Sequence, residues 1–325
     1  MNNLNYNFGD ISVVIVVYNR DKDLKIAIDS FNKDIKKIRE VLIIDNSTND
    51  KTKQLLKRLD QPKIKYFKSE INSLTVSRNT GIKKASKKSK IIIFLDDDIA
   101  IEDNYFNNIL DVFNKYAGAI GVSGYYFPNS KKIHRLENIL RKIFLLENWT
   151  VNKGLVLSPF GASYPYRLTK IINSSWLSGF NMAYKKEIFD KDIFDERFFR
   201  YALAEDFEFS TRLNRKYSNG LFITPYAKLI HRVSDVERTP KPKLIYMNLV
   251  NHLYIQAKNL NDFKGIVSLA WALTSMSLLQ MVKGLVCPNK TNLFRTKIYF
   301  KALTYCFKRL ALIRKGNLEL PLNLG

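Results

Sequence analysis

Ser89–Ile101 reads SKIIIFLDDDIAI. Ile91–Leu95 is a short apolar run between polar residues, the pattern of a strand buried on both faces, as in the interior of a parallel sheet. It runs directly into Asp96, Asp97 and Asp98, so three acids stand where the strand ends. On an extended backbone Asp96 and Asp98, two residues apart, turn to the same side. Crowded carboxylates raise one another's pKa unless a cation neutralises them. Hard oxygen ligands suit Mg2+ or Mn2+, which makes a divalent metal one reading of this stretch. A solvated acidic turn is the other.

Working outward, Ile11–Val17 is a β-branched run closed by Tyr18, Asn19 and Arg20, and Val41–Ile44 is a second run closed by Asp45, Asn46 and Ser47. Ile64–Phe67 reads as a third strand, and helical spacing fills the intervals, with Leu24, Ile28 and Phe31 in the first and 75–85 in the last. Strands alternating with helices at this spacing predict βαβ units and a mainly parallel sheet with flanking helices, an α/β Rossmann-like fold. Ligands of such sheets bind beyond the carboxyl ends of the strands, where the three polar clusters fall. No GxGxxG follows the first strand and the chain has no GxxxxGK[ST], so a nucleotide would have to be held by side chains and a metal instead.

Further on, 104–116 predicts a helix and 119–124 a strand, while 125–175 has poor periodicity and mixes aromatic with basic residues. That segment reads either as an insertion lining an acceptor site or as a structural excursion. In SWLSGFNMAY (175–184), Gly179 between bulky neighbours permits close backbone approach or a bulge. Residues 204–213 read as a helix carrying Glu205, Asp206 and Glu208 in its first turns, where exposed amides favour carboxylates. Capping accounts for such acids, and a general base among them is the sharper alternative. Residues 220–224 predict a further short strand. His231, ending YAKLIH, is either a metal or phosphate ligand or an ordinary histidine.

The 325 residues suffice for one large domain with an appendage or for two domains, and the net charge of +23 implies an anionic partner. Two cysteines form no disulfide framework, and no basic stretch followed by an apolar one opens the chain, so a reducing, non-secreted setting is expected. From Phe263 to Leu318 there is no acidic residue but ten lysines and arginines. Residues 265–282 are uncharged, at the lower length limit for a membrane span. Residues 293–315 read as a basic amphipathic helix suited to an anionic membrane surface, or else to packing within the protein or an oligomer. No nucleic-acid-binding motif interleaves with the basic residues, so nucleic acid is not expected.

The ordered set SVVIVVYNR (12–20), VLIIDNST (41–48), SRNTGIKKA (77–85), FLDDD (94–98), WLSGFNMAYKKEIF (176–189) and AEDFEFSTRL (204–213) resembles the family 2 glycosyltransferases, inverting enzymes of the GT-A fold that use nucleotide-activated sugars. The resemblance covers about residues 11–231. It implies that the loop holding Tyr18 and Arg20, together with Asp45, takes the nucleotide base, that Arg78 and Asn79 close on ribose and pyrophosphate, and that Asp96 contacts the ribose side. It further implies a Mn2+ or Mg2+ held by Asp98 with His231 and Asp96, Asp206 as general base with Glu205 as runner-up, and Trp176 and Gly179 on the acceptor side. The run of three aspartates departs from the family pattern and leaves the part of Asp97 open.

The expected organisation is a nucleotide-sugar-binding and catalytic domain over 1–235, with 125–175 a variable acceptor-side insertion, and a helical, membrane-associated or oligomerising region over 236–325. The expected partners are a nucleotide-diphosphate sugar, a glycan or lipid-linked saccharide acceptor and an anionic membrane surface, with the chain peripheral on its cytoplasmic face. Another nucleotide-sugar enzyme and a non-catalytic membrane-associated scaffold are the competing classes.

Overall fold

The computed structural model describes residues 5–126, 135–236, 239–286 and 288–321. The first part alternates β1 (Ile11–Val17), α1 (Asp21–Ser30), the single turn α2 (Asn32–Ile35), β2 (Glu40–Asp45), α3 (Lys51–Leu59), β3 (Ile64–Lys68), α4 (Leu74–Lys84) and β4 (Ile91–Asp96). Next come β5 (Ile99–Ile101), α5 (Tyr105–Lys115), β6 (Gly121–Tyr126), α6 (Arg135–Ile143), β7 (Asn148–Val151), β8 (Val156–Ser158), β9 (Gly161–Arg167), β10 (Ile172–Asn173) and β11 (Asn181–Lys185). α7 (Glu205–Lys216) and β12 (Leu221–His231) precede α8 (Lys241–Asn259), α9 (Phe263–Val286), α10 (Lys290–Lys308) and α11 (Leu310–Arg314).

The chain forms two compact units. One comprises the described residues of Met1–Ser130, Val151–Gly154 and Tyr166–Arg238, the other those of Lys131–Thr150, Leu155–Pro165 and Thr239–Gly325. The 125–175 segment is thus divided between the units; its residues 127–134 lie outside the described ones. Poor periodicity there reflects short elements, α6 and a small sheet of order β7-β9-β8, too brief to show a repeat.

The first unit is built on a mixed, mainly parallel sheet of order β10-β12-β6-β11-β4-β1-β2-β3, with β5 also paired to β12. β1 lies parallel to both β2 and β4, with Val17 opposite Asp45 and Val16 opposite Asp96. That register brings the polar clusters ending the three strands to one edge. The β-branched strands are buried on both sides: Val13, Ile15, Val41, Ile43, Ile91 and Ile93 join Leu24, Ile28, Phe31 and Phe106 in one core. On the other face α4 approaches β1 through Gly81, where a Cβ would lie 2.4 Å from Val14 Cγ1.

β11 breaks the parallel order by running antiparallel between β4 and β6. Because it enters where β4 leaves, the residues just before it reach the carboxyl edge, and Asp96 N–H donates to Phe180 O at 3.2 Å. The strand expected at 220–224 continues to His231, since a register shift between Ile223 and Lys228 absorbs Pro225, which has no N–H to pair. The strand expected at 119–124 runs two residues later. In the second unit the helix expected over 293–315 starts earlier, where Asn289 caps the Asn292 N–H at 2.9 Å, and breaks at Arg309, whose φ of −112° leaves the helical range.

Candidate active site and metal centre

β4 ends at Asp96, and the chain turns through Asp97 and Asp98 before β5. The turn, and not the pleat of an extended strand, therefore carries Asp98 back beside Asp96, which corrects the reason given above while keeping the pair. β5 then pairs with β12, placing His231 opposite Ile99. The imidazole Nε2 comes to 3.2 Å from Asp98 Oδ1. One ligand atom each from Asp96, Asp98 and His231 lies within 4.8 Å of the others. Two carboxylates and an imidazole form a donor set that fits Mn2+ or Mg2+.

Asp98 is buried, and burial alone would raise its pKa. His231, the Ser234 N–H (2.9 Å to Oδ2) and Arg20 outweigh this and hold it below the usual carboxylate value. Asp96 is the open side of the cluster, its side chain 37% exposed. The Phe180 ring stacks on His231 at 4.8 Å and 25°, fixing the imidazole plane. Asp97 points elsewhere: it is buried against Arg20, whose Nη1 lies 3.2 Å from its Oδ1. Arg20 Nε and Nη2 also donate to Val236 O at 3.1 and 2.8 Å. Arg20 thereby ties the acidic turn to the segment after β12. The family resemblance places it only in a nucleotide-binding loop.

The two candidate bases begin α7. Arg200, Ala202 and Ala204, none of them glycine, adopt left-handed φ values of 59°, 52° and 68° just ahead of it, a strained approach with no signature in the sequence. Glu205 is buried and ion-paired with Arg78, which also donates to Gly179 O at 2.9 Å and lies 3.4 Å from Asp96. Burial raises the Glu205 carboxyl, and Arg78 offsets this only in part. Asp206 is less enclosed. Its Oδ2 accepts the Gly179 N–H at 2.7 Å and its Oδ1 the Phe207 N–H at 2.8 Å. Its pKa is raised by burial against those amide bonds. Gly179 makes the contact possible, because a Cβ there would lie 3.1 Å from both Asp206 Cβ and Glu205 Oε1.

The remaining candidates spread along the edge. Tyr18 is half-buried at the end of β1. Asp45 is fully buried: its Oδ1 accepts from the Ser47 N–H at 2.8 Å and its Oδ2 from the Tyr66 hydroxyl at 2.9 Å. Asn79 is turned inward, where it accepts from the Phe194 N–H and donates to Phe194 O and Glu196. It thereby anchors the loop ahead of α7 and does not join the acidic cluster. Trp176 packs edge-on to Phe207 at 6.3 Å, flanking α7. The site's missed members are Phe180, inside the quoted 175–184 stretch, and Ser234, three residues past His231, neither with a chemical signal of its own.

The sequence pattern of "Glycosyl transferase family 2" matches residues 12–193, more than half of the chain. The minor teichoic acid biosynthesis protein GgaA of Bacillus subtilis (strain 168) is 30% identical over 139 residues, 40% of this chain and 31% of that protein. The GalNAc(5)-diNAcBac-PP-undecaprenol beta-1,3-glucosyltransferase of Campylobacter jejuni is 30% identical over 117 residues, 34% of this chain and 37% of that one. The matches thus span little more than a third of these curated relatives, or less. Among solved structures, the mannosyltransferase PcManGT from Pyrobaculum calidifontis, in complex with GDP-Man and Mn2+, superposes with a TM-score of 0.53 at 16% identity, covering 94% of this chain and 79% of that one. Staphylococcus aureus TarS 1-349 with UDP-GlcNAc gives 0.54 at 14% identity, covering 95% and 88%. These superpositions bear on the fold, a GT-A core. With the family pattern running from β1 through the acidic turn and β11, the chain belongs to glycosyl transferase family 2.

Proposed function

We propose that this chain is an inverting glycosyltransferase that moves a sugar from a nucleotide-diphosphate donor to a hydroxyl of a glycan or lipid-linked saccharide. One observation carries the reading: Asp96, Asp98 and His231 meet on the sheet edge where Gly179 hands a backbone N–H to Asp206. Asp98, His231 and Asp96 would hold Mn2+ or Mg2+, which when bound offsets the negative charge gathering on the departing diphosphate. Asp206 acts as general base, taking the acceptor hydroxyl proton as the new carbon–oxygen bond forms. The anomeric carbon–phosphate oxygen bond breaks in the same displacement, its electron pair leaving with the diphosphate, so configuration inverts. Asp206 suits this role better than Glu205, which is committed to Arg78. Tyr18, Arg20, Asp45, Arg78 and Asn79 belong to the donor side of this reading, Arg20, Asp45 and Asn79 by shaping loops, and Trp176 and Gly179 to the acceptor side.

The names of GgaA and the Campylobacter enzyme support an acceptor of the cell envelope. The acid-free basic segment 263–318 supports peripheral attachment to the cytoplasmic face of a membrane. Calorimetry of the full chain against UDP, GDP, CMP and dTDP, each with and without Mn2+, tests the donor reading. Metal-dependent binding of one nucleotide, lost in Asp98→Ala, is expected. Folded protein that binds none of them overturns the reading in favour of a scaffold.

A further inference from the structure

α9 is packed the wrong way round for a helix in water. Its buried positions are Gly265, Ala272, Ser275 and Gly284, all small. Leu269, Leu273, Met276 and Leu279 are half-buried, whereas Phe263, Val267, Trp271, Leu278, Met281 and Leu285 face outward, each between 47% and 81% exposed. Their spacings of four, four, seven, three and four keep them on one helical face, a stripe about 33 Å long at 1.5 Å per residue. Only 17% of its most apolar stretch is buried. Large apolar side chains normally lead the burial order in water, whereas small residues between helices with large ones outward is the arrangement found in lipid. Exposed Ile139 and Ile143 of α6 widen the stripe, and Trp271 Nε1–H donates to Ile143 O at 2.8 Å.

Charge selects the occupant. α9 packs on α10, whose exposed Arg295, Lys297, Lys301 and Lys308 could not follow it into hydrocarbon. The same basic side chains match anionic head groups beside an apolar face lying in the interface. α9 is long and apolar enough to cross a membrane, but that charged neighbour favours lying in its plane. We infer that the exposed face of α9 is a membrane-docking surface, inserted parallel to the plane of an anionic bilayer with Trp271 at the acyl boundary. This deepens the membrane reading above by naming the face that enters lipid.

The test uses full-length protein carrying Trp149→Phe and Trp176→Phe, so that Trp271 alone reports. It is mixed with vesicles of phosphatidylcholine alone or with phosphatidylglycerol. Expected are co-sedimentation with the anionic vesicles, a blue shift of Trp271 emission and quenching by lipids brominated on the acyl chain. The exposed-face variant Val267→Ser/Leu278→Ser/Met281→Ser, checked for folding by circular dichroism, should bind at least tenfold more weakly. Binding without a Trp271 shift or quenching overturns the assignment of α9 while sparing membrane attachment. Failure to bind anionic vesicles overturns both. A dimer in the absence of vesicles that the serine variant dissociates, with vesicle binding unchanged, also overturns it and gives the face to a second copy of the chain.

Discussion

As the proposed general base, Asp206 would face two demands with one carboxylate: to stay ordered on the Gly179 and Phe207 amides and still take a proton. Burial meets the second demand by raising its pKa, which makes it a stronger base than an exposed aspartate. Asp206→Asn keeps the acceptor atom for Gly179 but removes the basicity. Its kcat should fall by about 10²–10⁴-fold while calorimetric affinity for the nucleotide stays within about twofold. The acid limb of the wild-type kcat profile should lie above the ordinary aspartate pKa, because the deprotonated form is the active one and burial disfavours it. An unchanged kcat in the Asn variant would move the base role to another group. The acids were legible in the sequence because a strand ending in carboxylates is a local pattern. The engagement of Arg20 with Asp97 was not, because it joins residues 77 positions apart.

At the level of elements, the parallel strands were legible for a similar reason: a strand buried on both faces must be apolar throughout, as Ile91–Leu95 is. β11 was harder, since nothing local in Asn181–Lys185 says that it will run antiparallel between β4 and β6. Yet that insertion brings Gly179 and Phe180 to the acids. The length of β12, and so the delivery of His231, depends on a register shift that sequence spacing does not reveal. The seat of α4 on β1 allows a sharp test, because the space at Gly81 is taken by Val14. Gly81→Ala gains helix propensity of roughly 1 kcal/mol but forces a methyl to 2.4 Å from Val14 Cγ1, and overpacking of this kind costs about 1–3 kcal/mol. Urea unfolding should therefore show net destabilisation. Adding Val14→Ala should return part of the loss, giving a favourable coupling in the double-mutant cycle. Additive effects would mean that the helix relaxes away from the strand without cost.

On the scale of the whole molecule, charge and titration are shared unequally. Residues 239–325 hold thirteen lysines and arginines against two acids, and that asymmetry, unlike the division of 125–175 between the two units, was visible in composition alone. The second unit also carries a histidine held neutral. His252 stacks on Phe160 at 5.2 Å and 20°, and its Nδ1 donates to Asn248 O at 2.7 Å. Burial pushes its pKa down to about 4, against a hydrogen bond that works the other way. Between pH 6.5 and 4 the unfolded chain therefore binds a proton that the folded chain refuses. Stability contributed by the neutral ring is fully present above about pH 6.5, falls as the pH drops through this window and reaches its full loss, at most about 3 kcal/mol, below about pH 4. Carboxylates shift in both directions over the same range, so the measurement is a difference. Unfolding free energies of wild type and His252→Asn should be compared at pH 7.5 and pH 5. The wild type should lose up to about 2 kcal/mol more than the variant on acidification, since asparagine has no proton to take up. Equal losses in the two proteins would show that the ring charges in place and that the acid sensitivity of the chain lies elsewhere.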